Sequence, residues 1–213
     1  MKPLCLSGPL ARFFLLLIVV SLTACASVLK GERTLILRPG PQRLPALRAQ
    51  GELIIATLGG ATVTVEPLTD KELDAYYARR PTLVNPFTLR PKGTTRPLAF
   101  ILRIQNVGRD RINFDPGQAV LVDQQNRRSA AFSYDELYGL LAEVRNSVKA
   151  LQAVEETVLT KLLVVPPQLD REGLLLFPPP DPEAKAVILE VGSFYIGSAE
   201  QLLLFEFEAK HAP

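Results

Sequence analysis

Leu98-Ala99-Phe100-Ile101-Leu102-Arg103-Ile104-Gln105 is the clearest strand in the chain. Side chains alternate between the two sides of a strand, so Leu98, Phe100, Leu102 and Ile104 share one face. Arg103 and Gln105 fall on the other, which places that end of the strand against water. Asn106-Val107-Gly108-Arg109-Asp110 then turns the chain, and residues 111–114 return. Asp115-Pro116-Gly117 turns it again, and residues 119–122 make a further strand. Strands about ten residues apart, with polar turns between them, predict an antiparallel sandwich.

The same pattern extends both ways. Upstream, Leu53-Ile54-Ile55-Ala56-Thr57 and Thr62-Val63-Thr64-Val65-Glu66 are β-branched runs joined by Leu58-Gly59-Gly60-Ala61, which predicts a hairpin. Thr69 can cap a helix and Glu72 can bond back to it. That helix, about 70–79, should stop before Pro81. Residues 34–37 read as a short strand and the Pro- and Gly-containing stretch 39–51 as an irregular linker. Downstream, Ser133 and Glu136 form a second capping box. Leu137, Leu140, Leu141, Val144, Val148, Leu151 and Val154 follow at steps of three and four, predicting an amphipathic helix over about 133–156 with a break near Asn146-Ser147. Strands resume at 162–165, 173–177 and 186–195. In the last strand, 201–209, Leu203, Phe205 and Phe207 alternate with Glu206 and Glu208. The fold class expected is therefore mainly β, a sandwich with an inserted helical segment.

The N-terminus is organised differently. Lys2 and Arg12 are its only charges, and an apolar run over residues 13–22, Phe13-Phe14-Leu15-Leu16-Leu17-Ile18-Val19-Val20-Ser21-Leu22, follows them. Positive charge followed by a short apolar run is the order of an export signal, and the run is too short for a permanent span, which needs roughly 20 apolar residues. Leu22-Thr23-Ala24-Cys25 closes the segment and resembles the bacterial lipobox. That resemblance covers residues 1–25 and implies cleavage between Ala24 and Cys25, with lipid joined to the Cys25 thiol. It implies residues 1–24 as signal, 25–51 as lipid anchor and tether, and 52–213 as the folded domain. Ala26 and Ser27 follow the cysteine where retention at the inner membrane commonly uses Asp, so the sequence resembles the set sorted to the outer membrane. In a Gram-positive host the same anchor implies the outer face of the plasma membrane.

Cysteine usage agrees with this reading. Cys5 and Cys25 are the two cysteines of the chain. With Cys5 removed and Cys25 acylated, no internal disulfide can form. A chain of this length can bury a sufficient core without one.

From Phe100 onward the chain is similar to Ig-like domains of bacterial lipoproteins. The phrases that carry this are Leu102-Arg103-Ile104-Gln105-Asn106-Val107-Gly108, Phe114-Asp115-Pro116, Val120-Leu121-Val122-Asp123 and Gly173-Leu174-Leu175-Leu176-Phe177. They cover about half the chain. These motifs shape a fold and not a reaction, so they imply an Ig-like sandwich and leave activity open.

Composition narrows the chemistry further. The chain has 24 Lys and Arg against 22 Asp and Glu, and without Lys2 and Arg12 the remainder is balanced at 22 of each. Nucleic-acid binding needs a basic excess that is absent here. His211 is the single histidine and lies in a terminal Lys-His-Ala-Pro tail, so histidine-based nucleophilic or zinc chemistry is set aside. Carboxylate pairs exist at Asp135/Glu136, Glu155/Glu156 and Glu206/Glu208. They read respectively as a helix's first turn, a helix's wet face and a strand's wet face. Asp110, Asp115 and Asp123 lack the spacing of a calcium loop and read as turn residues. Pro178-Pro179-Pro180 reads as a rigid turn.

Tyr134 and Tyr138, four residues apart on one side of the long helix, are the candidate partner-binding residues. The neighbouring stripe of Leu137, Leu141 and Val144 is read first as the cover of an open sheet, and otherwise as a face that docks an envelope protein. The expectation is a non-enzymatic envelope lipoprotein without a cofactor, held on the lipid membrane through acylated Cys25 and binding or scaffolding a protein partner. Two rivals are a small subunit of a secretion or transport complex and a hydrolase using carboxylates.

Overall fold

A computed structural model of the chain describes residues 35–88, 96–144 and 146–211. Strands β1 (Leu35–Pro39), β2 (Leu47–Gln50), β3 (Leu53–Leu58) and β4 (Ala61–Leu68) precede helix α1 (Asp70–Ala78). Strands β5 (Leu98–Asn106), β6 (Ile112–Phe114), β7 (Ala119–Asp123) and β8 (Arg128–Ala130) follow, then helices α2 (Tyr134–Leu141) and α3 (Ser147–Thr157). Strands β9 (Leu163–Val165), β10 (Asp170–Phe177), β11 (Ala186–Ile196) and β12 (Ala199–His211) complete the fold.

Two antiparallel sheets form the sandwich. One has five strands in the order β10-β5-β4-β3-β2. The other has seven, in the order β1-β12-β11-β6-β9, with β7 also beside β11 and β8 beside β7. β6 and β7 both pair with β11, at Ile112–Phe114 and Ala119–Asp123. Together they act as one strand interrupted by a 3-10 turn, opposite a bulge in β11 between Val191 and Phe194.

The inward faces meet in an aromatic core. Leu98, Phe100, Leu102 and Ile104 of β5 pack there with Phe114, Phe177, Phe194, Phe205 and Phe207. Phe100 meets Phe177 edge-on with ring centres 5.8 Å apart, and Phe207 at 5.3 Å. Burying each large apolar side chain contributes roughly 1.5–3 kcal/mol.

A second cluster lies on the outer face of the five-stranded sheet. Ala99 of β5 and Leu174 and Leu176 of β10 are buried there beneath Leu73, Tyr76 and Tyr77 of α1, Leu137 and Leu141 of α2, and Ala153 and Val154 of α3. β10 therefore faces apolar neighbours on both sides, which is why Leu174-Leu175-Leu176-Phe177 is an unbroken apolar run and not an alternation. Arg103 and Gln105 lie beyond the helices and are exposed, as the alternation in β5 requires.

The helical insertion also protects an edge. Phe132 N–H donates to the Leu176 carbonyl at 2.8 Å and Leu159 N–H to that of Leu174 at 2.9 Å. The chain leaves for α2 and returns from α3 by docking on β10, so backbone groups that would invite another strand are occupied.

Two expectations need correction. Residues 35–51 are not tether or irregular linker throughout: the short strand expected at 34–37 is β1, paired with β12, and β2 pairs with β3. Their prolines and glycines lie mainly between the strands, and Leu37 and Leu47 seal the core. Residues 111–114 do not return along β5; β6 crosses to the other sheet, between β11 and β9. The segment 133–156 is two helices with the break where it was expected, near Asn146-Ser147: Asn146 takes a left-handed backbone with φ 64°. The signal, Ala24, Cys25 and the tether at 26–33 lie outside the described residues.

Candidate functional site

The two tyrosines singled out from the sequence take different roles. Tyr134 donates from its hydroxyl to Glu155 Oε1 at 3.0 Å, bracing α2 against α3. That hydrogen bond, helped by burial, pushes the Tyr134 phenol above its ordinary pKa. Tyr138 is 51% exposed, its ring centre 6.5 Å from that of Tyr134. One ring is a strut and the other faces solvent. Leu137, Leu141 and Val144 are buried against the sheet, so the apolar stripe is a cover.

The carboxylate pairs are placed by their local elements. Glu136 completes the capping box, accepting from Ser133 N–H at 2.8 Å and from its hydroxyl at 2.7 Å. These bonds hold its carboxyl below the usual range. Asp135 lies beside it in the first turn of α2. Glu155 accepts from Tyr134, and Glu156 accepts from Gln152 Nε2 at 2.9 Å. Glu206 pairs with Arg43 at 3.3 Å and Glu208 with Lys210 at 4.0 Å.

The three aspartates shape turns. Asp115 accepts from Gly117 N–H at 3.0 Å. Asp110 offers its backbone carbonyl to Asn106 Nδ2 at 2.7 Å. Asp123 Oδ1 accepts from the N–H groups of Gln125 and Arg127 at 2.8 and 3.0 Å. Among the described residues, no group of three or more His, Cys, Asp or Glu is placed to hold a metal ion.

Asp123 belongs to a network that spacing did not reveal. Arg127 reaches its carboxylate at 2.6 Å and Asp181 at 2.5 Å. Burial works against the Asp123 charge, yet the Arg127 and Gln125 N–H groups and the Arg127 guanidinium outweigh it and hold its pKa low. Asp181 is lowered by Glu183 N–H and then by Arg127. Pro179 and Pro180 stand beside them, lining with Leu121 and Ser129 a shallow recess of about 130 Å³. The proline run leads out of β10, and Arg127 fastens Asp181, which follows it, to the end of β7. Both acids are hydrogen-bonded to the one arginine and to backbone N–H groups, so each carboxylate is held by its own turn.

A third polar group sits where α1 leaves the sheet. Arg80 stacks over Tyr76, its guanidinium carbon 3.6 Å from the ring centre, and reaches Glu172 of β10 at 3.5 Å. Glu66 of β4 lies in the same region; burial, then the charge of Glu72, raises its pKa, with a smaller push from Glu172. Inside the helical layer, the Thr157 hydroxyl donates to the Ala153 carbonyl at 2.6 Å, so Tyr77 donates to Thr157 across 2.9 Å. Burial drives the Tyr77 phenol far up, leaving it a neutral donor.

Asn106 is the most informative buried polar residue. It is 1% exposed. Its Nδ2 donates to the carbonyls of Asp110 and Val165 at 2.7 and 3.0 Å, and its Oδ1 accepts from Gly108 N–H at 3.0 Å. The Asn-x-Gly phrase thus ties the end of β5 to its following loop and to β9.

Among the described residues, no helix is long and apolar enough to cross a membrane. No protein-family model matches the chain, and no curated protein does. The solved structure of the yjhA protein from Bacillus subtilis is similar to it at 13% identity, over 63% of this chain and 76% of that one, with a TM-score of 0.34.

Proposed function

We propose that the chain is a bacterial envelope lipoprotein, held on the membrane by lipid on Cys25, whose sandwich binds or scaffolds other envelope components and catalyses no reaction. The observation that carries this is the N-terminal series of Lys2 and Arg12, the apolar run, and Leu22-Thr23-Ala24-Cys25 at its end. Two or three acyl chains, at about 0.8 kcal/mol per buried methylene, hold such a protein on a bilayer essentially permanently. The placement of the cysteines supports the reading. Neither lies in 35–211, and the sandwich is closed by apolar burial on both faces of its five-stranded sheet. Such a domain suits an oxidising compartment without needing a disulfide.

The test is the intact mass of the protein purified from membranes. The expected species begins at Cys25 and carries the added mass of diacylglycerol on its thiol. An unmodified chain retaining residues 1–24, or one beginning at Ala26, overturns the proposal.

A further inference from the structure

Four exposed apolar side chains gather at one end of the sandwich. Val107 is 51% exposed, Leu162 65%, Val164 43% and Leu169 46%, and they are half of the large apolar residues left open among the described ones. The segments of Val107, Val164 and Leu169 are joined by hydrogen bonds, and Leu162 lies two residues before Val164. Asn106 N–H donates to the Leu169 carbonyl at 2.9 Å, and Asn106 Nδ2 donates to that of Val165. Gln168 Nε2 reaches the carbonyls of Val107 and Gly108, each at 3.2 Å. The helical layer exposes Tyr138, Leu140 and Val148. Apolar groups held together in the open mark a contact surface, whereas single ones do not.

Charge identifies what that surface fits. Arg109, Arg111 and Lys161 are exposed on the same loops, against one acid, Asp110, between the two arginines. None of them takes part in the ion pairs among the described residues. In a chain otherwise balanced in charge, this local surplus steers toward an acidic partner. Backbone strand addition is disfavoured here, because β9 is three residues long and runs into Pro166 and Pro167. Docking therefore falls to side chains.

Position adds a second argument. Leu35 lies beside His211, at the far end of β12. The 13 residues of β12 separate that end from the Ala199 end by about 40 Å at strand rise. Gly197 N–H bonds to the Arg111 carbonyl, so the apolar surface belongs to the Ala199 end. We propose that this end is a docking surface for an envelope protein presenting an acidic segment with apolar side chains. The inference rests on the lipoprotein reading in one respect: the partner is taken to share the envelope with the anchored chain.

The test uses the full chain in cells, with a photo-crosslinking amino acid at Val164 and, in a control, at Glu183 near the Leu35 end. The expected result is a discrete protein adduct from Val164 and none from Glu183. That adduct drops at least tenfold with Arg109→Glu and Lys161→Glu combined, while thermal unfolding stays unchanged. If the double variant fails to fold, the single variant Arg111→Glu replaces it. Adducts with lipid alone, adducts with a second copy of the chain, equal adducts at Glu183, no adduct, or indifference to charge reversal each overturn the proposal. Labelled fatty acid supplied to the same cells separates the two readings. Label without a Val164 adduct overturns the docking surface, and a charge-sensitive adduct without label overturns the anchor.

Discussion

Asn106 shows how one side chain organises a non-local junction. It is buried and uses both ends of its amide on three backbone groups, so none of those groups is orphaned. Asn106→Leu keeps similar volume and removes the bond to the buried Val165 carbonyl and two part-buried bonds, Gly108 N–H keeping the Gly60 carbonyl at 2.8 Å; a buried group left without its partner costs about 1–3 kcal/mol. We expect urea denaturation to show a loss of at least about 2 kcal/mol; a loss under about 0.5 kcal/mol would mean the bonds contribute little. Gly108 is constrained by the same junction, since a Cβ there would stand 3.0 Å from the Gly60 Cα. The phrase Asn106-Val107-Gly108 was legible as a turn because its residue types are turn formers. Its partners, Val165 and Leu169, were not legible, because they come from sequence some sixty residues away.

Elements governed by local chemistry were read well. Both capping boxes, at Thr69/Glu72 and Ser133/Glu136, are formed, since a cap is decided within four residues. The break between α2 and α3 was also visible, because Asn tolerates the left-handed backbone that β-branched residues resist. Asn146→Gly should leave stability nearly unchanged, and Asn146→Val should cost about 1–2 kcal/mol in the same denaturation assay. Equal losses from both would mean the side chain matters and not the backbone.

Glu66 gives the helix-bearing sheet a pH signature. Its pKa is raised in the folded state, so the fold binds this proton more tightly than the unfolded chain does. Its contribution favours folding below about pH 4.5 and is lost as pH rises through the raised value. Glu66→Gln should therefore melt higher than wild type at pH 7, with the gain fading as pH falls towards 4.5. Identical melting of the two proteins at pH 7 would contradict this.

At the scale of the molecule, alternation in β5 and β12 was enough to indicate a sandwich, but not which strand joins which sheet. β6 joins the seven-stranded sheet because Ile112 and Phe114 fit its inner face beside β11 and β9. Nothing local in Arg111-Ile112-Asn113-Phe114 distinguishes that from a hairpin with β5. The candidate site was less legible than the fold. Tyr134 and Tyr138 stood out by spacing, yet Tyr134 is spent on Glu155. The apolar end at Val107 and Val164 exists only after distant loops are brought together. The sandwich also begins earlier than proline content suggested. A chain starting at Leu35 should unfold in one cooperative step. One starting at Glu52 lacks β1 and β2 and the core leucines Leu37 and Leu47, and should lose about 4–8 kcal/mol, most of a domain's stability.

Under the proposed lipoprotein reading, the anchor on Cys25 sets where all of this operates. The most direct measurement is incorporation of labelled fatty acid into the full chain and its Cys25→Ser variant, with the membrane fraction assayed in parallel. The account predicts label and membrane residence for the wild type and loss of label for Cys25→Ser, which stays unprocessed or becomes soluble. Continued labelling of Cys25→Ser, or an unlabelled wild type, would contradict it.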